Sequence, residues 1–147
     1  MISTRDPYDG IVLRSLAKYG EPFQIADLGD KAGHFCLNED AFLLVKYAAR
    51  NQSPWQFTFH PDDINTLVDD YKEGGLFGGS YVCLVCGYDS LCALQETEWS
   101  SLLDFDATRQ QTFTVRRDPR SSFEVTGSFG ELNQKIPASR FPSLVFE

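Results

Sequence analysis

The stretch Tyr81-Val82-Cys83-Leu84-Val85-Cys86 constrains this chain more than any other. It holds six consecutive apolar or weakly polar residues, two of them β-branched, between glycines. Such a run reads as a strand covered on both faces, the kind that sits in the middle of a sheet. Gly87-Tyr88-Asp89-Ser90 then reads as a turn that returns the chain as a partner strand over 90–95. The remaining elements have to be arranged around that hairpin.

Upstream, Asp9 is placed to cap a short helix over 10–19, with Ile11, Val12, Leu16 and Tyr19 on one stripe and Gly20 and Pro22 ending it. Residues 22–28 alternate at period two and run into Gly29-Asp30-Lys31-Ala32-Gly33, a loop with turn chemistry. Residues 34–38 and 40–48 form a second hairpin about Asn38-Glu39-Asp40. Phe42, Val45 and Ala49 keep a helical spacing as well, and the strand reading is preferred. Trp55-Gln56-Phe57-Thr58-Phe59 puts three aromatics on one face of a half-buried strand. Pro61, Asp62 and Asp63 suit the first turn of a helix over 61–73, whose buried stripe is Ile64, Leu67, Val68 and Tyr71 and which stops at the glycines of 74–79. Strand 55–59, helix 61–73 and strand 81–86 are thus expected to form a βαβ unit. A third helix is expected over 96–105. Strands 112–116 and 123–126 follow as a hairpin near a sheet edge, and an apolar tail ends the chain with Phe141, Leu144, Val145 and Phe146.

At 147 residues the chain has the size of one domain, and 14% aromatic content with twelve Phe argues for a well-filled core rather than disorder. The net charge of −8 is uneven: residues 1–104 hold seven Lys/Arg against sixteen Asp/Glu, and 105–147 hold six against five. An acidic body disfavours nucleic acid and anionic membrane, which leaves a protein partner or self-association as the expected mode of binding. No window approaches the about 18 apolar residues of a membrane span, and no signal-like run opens the chain, so the expected location is cytoplasmic.

Several residue groups carry the chemistry on offer. Cys83-x-x-Cys86 with Cys92 could contribute to a zinc site, but strand parity sends residues 83 and 86 to opposite faces; buried reduced thiols are the preferred reading. Arg116, Arg117 and Arg120 form a basic cluster that could bind phosphate or an acidic partner. Neighbours in a strand point opposite ways, so Arg116 and Arg117 are not expected on one face, and charges at an exposed hairpin also guard a sheet edge. Phe141 and Phe146 in the tail are further candidates for contact with a partner.

The order of elements over residues 10–86 resembles the α-β-β-β-α-β core of the restriction-endonuclease-like family, with an extra strand at 55–59. That resemblance implies a Mg²⁺ site built from Asp40, with Asp27 or Glu39, and Lys46 as the lysine that positions water. The triplet Leu44-Val45-Lys46 departs from the family's pattern, because the metal-binding acid is missing. Two further segments, Pro54-Trp55-Gln56-Phe57-Thr58-Phe59 and Val82-Cys83-Leu84-Val85-Cys86-Gly87-Tyr88-Asp89-Ser90, resemble the S-P-W-x-F-T-F and V-C-G-x-D-G segments of small bacterial proteins without assigned activity. Ser90 stands where that pattern has glycine. This second resemblance implies a bacterial source and no mechanism.

The expectation from sequence is a single α/β (α+β) domain over 1–147, with a mixed central sheet of about six strands, three flanking helices, and a C-terminal hairpin and tail over 106–147. Its expected role is non-enzymatic binding or assembly, with a metal-dependent nuclease or a catalytically degenerate relative as the alternative.

Overall fold

The computed structural model describes residues 1–75 and 79–147. Its elements run α1 (Asp6–Lys18), β1 (Ile25–Asp27), β2 (His34–Leu37), β3 (Ala41–Ala48), β4 (Trp55–Phe59), α2 (Pro61–Gly74), β5 (Gly79–Cys86), β6 (Ser90–Leu94), α3 (Glu96–Trp99), β7 (Gln111–Arg116), β8 (Glu124–Thr126) and α4 (Ser143–Phe146). A 3₁₀ turn, Ser100–Leu102, continues α3. No helix among the described residues is long and apolar enough to cross a membrane.

The expected mixed sheet is present, with β5 inside it. Five strands lie in the order β1-β2-β3-β5-β6, antiparallel except for β3 and β5, which run parallel over eight residue pairs from Ala41↔Gly79 to Ala48↔Cys86. Parallel neighbours need a crossover, and α2 supplies it. The successive residues of β5 alternate between two cores. Val82, Leu84 and Cys86 face Trp55, Phe57, Ile64, Leu67, Trp99 and Phe113. Cys83 and Val85 face Val12 and Leu16 of α1 together with Phe141, Leu144 and Val145. Because both faces are covered, the strand can be apolar at every position from Val82 to Cys86.

Strand β4 is not the sixth strand of this sheet. It pairs with β7, and β7 with β8, in a separate three-stranded antiparallel sheet whose inner face is Trp55, Phe57, Phe59, Phe113, Val115 and Val125. The expected βαβ unit is corrected accordingly: the parallel partner of β5 is β3. Gln56 and Thr58 are exposed, so β4 has one wet face and suits an outer sheet lying over the larger one.

Other boundaries shift for local reasons. Helix α1 begins at Asp6, with Pro7 in its first turn, rather than after Asp9. Its buried stripe is Tyr8, Val12 and Leu16, and Tyr19 is exposed. Helix α3 is one turn long, with Glu98 accepting a hydrogen bond from the Gln95 backbone N–H at 3.0 Å, and the expected helix to residue 105 stops at the 3₁₀ turn. Residues 41–48 are strand, not helix. The expected glycine turn over 74–79 falls partly outside the described residues; Gly75, at its start, has φ +63°.

The tail folds back on its own body. The backbones of Ile136 and Phe123 bond reciprocally at 2.8 and 2.9 Å, Phe141 is buried, and Phe146 stacks on Tyr19 with ring centres 4.9 Å apart. Phe141 and Phe146 therefore pack on the α1 side of the core, Phe141 buried there and Phe146 half-buried.

Candidate functional site

Two polar constellations stand out, one buried beneath α2 and one open at the end of the outer sheet. The first follows from the way α2 is rotated. The sequence stripe Ile64, Leu67, Val68, Tyr71 is only half right: Ile64 and Leu67 are buried, but Tyr71 is exposed, and the inward positions are completed by Asp63 and Asp70. These carboxylates are seven residues apart, hence on one side of the helix. Asp63 meets the large sheet at Lys46 of β3, and Asp70 meets it at His34 of β2.

Asp63 accepts hydrogen bonds from Lys46 Nζ at 2.7 Å, from Lys31 Nζ at 3.1 Å and from the His60 backbone N–H at 2.9 Å, capping α2. Burial opposes its charge, yet the Lys46 ammonium, the His60 N–H and Lys31 together hold its carboxyl below the usual range. Lys31 also pairs with Asp62 at 2.6 Å; burial works against its ammonium, but the two carboxylates raise its pKa. One helical turn beyond Leu67, His34 lies between two carboxylates, with Nδ1 2.8 Å from Asp30 and Nε2 2.7 Å from Asp70. Burial pushes the Asp70 carboxyl up, while the hydrogen bond with His34 holds that of Asp30 down. Among the described residues no buried side-chain polar atom lacks a hydrogen-bond partner. The seam is internally matched, and its chemistry is that of fastening α2 to the sheet.

The residues of the nuclease expectation are not gathered here. Lys46 is committed to Asp63 and lies 5.4 Å above the Phe59 ring. Asp40 precedes the opposite end of β3, six residues and roughly 20 Å of strand away. Glu39 is exposed in the β2–β3 turn at φ 72°. Asp27 sits on the edge strand β1, separated from β3 by β2, with Oδ1 accepting from the Gly29 N–H at 3.0 Å. Asp27, Glu39, Asp40 and Lys46 thus do not form the two-carboxylate and lysine arrangement that a Mg²⁺-dependent nuclease requires. Among the described residues no group of three or more His, Cys, Asp or Glu is placed to hold a metal ion.

Nor do Cys83, Cys86 and Cys92 converge. Cys86 and Cys92 face the outer sheet, and Cys83 faces α1. Burial pushes the Cys83 and Cys86 thiols up to about 12, and that of Cys92 well above its ordinary value.

The second constellation is the basic cluster. Arg116 ends β7, where it lies opposite Glu124 of β8. Arg117 follows, and Arg120 occupies the turn at φ 63° with its side chain exposed. Two adjoining clefts share Arg117, Ser121, Ser122 and Lys135 as walls; Arg116 lines the first and Arg120 the second. The expectation that Arg116 and Arg117 could not act on one side is corrected. Arg117 lies just beyond the strand, where the alternation of the pleat no longer applies, and both line the same cleft. The walls hold four cations against Asp118 and Glu124, and Asp89 reaches Arg117 from outside them, which leaves a local excess of positive charge on a chain of net charge −8.

Arg117 is fixed on several sides. Its backbone N–H donates to Ser53 Oγ at 3.0 Å, its Nε to the Ser121 carbonyl at 2.6 Å and its Nη1 to Asp89 at 3.2 Å, and its guanidinium lies 5.2 Å from the Phe123 ring centre. Arg116 and Arg120 are exposed. Lys135 is 3.6 Å from Glu124, a loose pair between two largely exposed side chains. Sequence reasoning found the three arginines but missed Lys135 and the serines, because they come from the tail and from turns that only the fold brings together. The inward carboxylates of α2 were also missed, though Asp63 directly precedes Ile64 and Asp70 lies three residues beyond Leu67, on the same helix side.

Compared with known proteins, the chain matches no family model, no curated protein and no solved structure. The two resemblances read from its sequence gain no support from these comparisons.

Proposed function

We propose that this chain is a non-enzymatic binding protein whose site is the basic, serine-walled cleft at Arg116, Arg117 and Arg120, and that it takes an anionic group presented by a protein partner. The observation that carries this reading is the placement of four cationic side chains around two clefts with a common wall, on a body that is otherwise acidic. A carboxylate or phosphate suits such a wall, because guanidinium groups match both in geometry and serine hydroxyls add neutral donors. The surrounding negative field turns away polyanions and focuses the attraction on this one place. A second copy of this acidic chain is one source of such a group, and a different acidic protein is another.

Calorimetric titration with a phosphoserine peptide and with an oligoglutamate peptide, at low and physiological salt, tests the proposal. Saturable binding that weakens with salt and is lost in Arg116→Ala/Arg120→Ala is the expected result, and the stronger of the two peptides identifies the anion. Light scattering over a range of concentrations separates self-association from binding a different partner. Binding unchanged in the double variant, or no binding of either peptide together with a monomer at all concentrations, would overturn the reading.

A further inference from the structure

We propose that Asp30, His34 and Asp70 form a buried proton-binding site, which holds one proton more in the folded chain than in the unfolded chain at neutral pH and so makes the fastening of α2 to β2 sensitive to pH. A neutral imidazole has one N–H and one lone pair. His34, 4% exposed, has a carboxylate oxygen at hydrogen-bond distance from each nitrogen, Asp30 at 2.8 Å and Asp70 at 2.7 Å. With both carboxyls ionised and the ring neutral, a lone pair would face a carboxylate oxygen across 2.7 Å at buried Asp70 or 2.8 Å at half-exposed Asp30, and nothing would bind them. One added proton removes the conflict, whether it rests on the ring or on a carboxyl. Of the two carboxyls Asp70 is the better keeper: it is 7% exposed, whereas the Asp30 side chain is about half in solvent. The balance is simple: one proton from solvent forms the hydrogen bond between Asp70 and His34 Nε2, and no other bond changes.

Among the described residues the surroundings do not supply an unpaired competing cation. From α2, Asp70 faces the ring with Asp69 beside it. From the β1–β2 loop comes Asp30, and Lys31 next to it is engaged by Asp62 and Asp63. From β3, Phe42 lies 6.3 Å from the ring, and Lys46 is held by Asp63. Along β2, Cys36 follows, with Glu39 and Asp40 beyond it. Burial pushes the Asp70 carboxyl up, as a proton-holding role requires. Because the folded state releases this proton at higher pH than the unfolded state does, the associated stability is present at low pH and lost as pH rises through the release.

Nuclear magnetic resonance of ¹⁵N- and ¹³C-labelled protein between pH 5 and 9 tests the site directly. At pH 7 the expected result is an added proton in the pair, seen either as N–H on both ring nitrogens of His34 or as a protonated Asp70 carboxyl. Through the release region the unfolding constant should rise by up to about tenfold per pH unit, the slope of a single proton. Asp70→Asn should remove that slope, since its amide N–H donates to the Nε2 lone pair while Nδ1–H donates to Asp30, with no added proton. One N–H on His34 beside two ionised carboxylates at pH 7 would overturn the proposal, as would equal slopes in the wild type and Asp70→Asn. If that variant does not fold, the wild-type spectra decide alone.

Discussion

Replacing Asp63 with alanine tests how α2 is held against the sheet. The carboxylate makes three contacts at once, and their loss can be estimated separately. The cap on the His60 N–H is worth about 1 kcal/mol. The Lys46 pair, with side chains 20% and 10% exposed, falls between a surface pair of up to about 1 kcal/mol and a buried partner whose loss costs about 3–5 kcal/mol, so roughly 1–2 kcal/mol is expected. Lys31 retains Asp62 and adds little. The total is about 2–3 kcal/mol, which for a domain of this size lowers Tm by roughly 5–10 °C. Urea unfolding at pH 7 should show a lower midpoint with an unchanged slope. Asp63→Asn keeps an acceptor for the cap and should lose roughly 1–2 kcal/mol, the ion-pair share. The carboxyl is held below its ordinary value of 3.8, so its contribution is present above that pH and is lost as pH falls through the folded value. The gap between wild type and Asp63→Ala should therefore close in acid. A difference at pH 7 below about 0.5 kcal/mol, the scale of an ordinary surface change, or a gap that widens in acid would refute this account of the seam.

Three other outcomes follow from the geometry. Arg116→Ala and Arg120→Ala should each change stability by less than about 0.5 kcal/mol, because both side chains are exposed, whereas Arg117→Ala should cost roughly 1–3 kcal/mol by freeing Asp89 and the Ser121 carbonyl; thermal melts of the three variants check the contrast. Trp99→Ala should cost about 3–5 kcal/mol in urea unfolding, since it opens a cavity beside Ser80, whose carbonyl accepts the indole N–H at 2.9 Å. Native protein at pH 8 should react with a thiol reagent at Cys36 alone and slowly, and unfolded protein at all four cysteines, because burial raises every thiol and only Cys36 is partly open.

Much of the fold was legible where one local rule governed. Residues 55–59 became β4 at the expected bounds, and the uninterrupted apolar run in 81–86 announced a strand covered on both faces. The polar alternates Gln56 and Thr58 already marked β4 as unfit for the middle of the large sheet, but its pairing with Gln111–Arg116, some fifty residues on, is a tertiary choice that no local pattern records. The inward turn of Asp63 and Asp70 was hidden because a helix stripe is read from its apolar members, while here Lys46 and His34 on the sheet make carboxylates acceptable inside. The three arginines were visible as a run, but the cleft was not: Ser53 reaches it from the loop before β4, and Lys135 from the tail.

Anion binding is the property proposed for the outer-sheet cleft. Titration of ¹⁵N-labelled protein with inorganic pyrophosphate against a chloride control of equal ionic strength tests it most directly. Saturable shifts confined to residues 116–122, Ser53 and 135–139, and abolished in Arg116→Ala/Arg120→Ala, are predicted. Shifts scattered over the surface, or the same shifts with chloride, would contradict it.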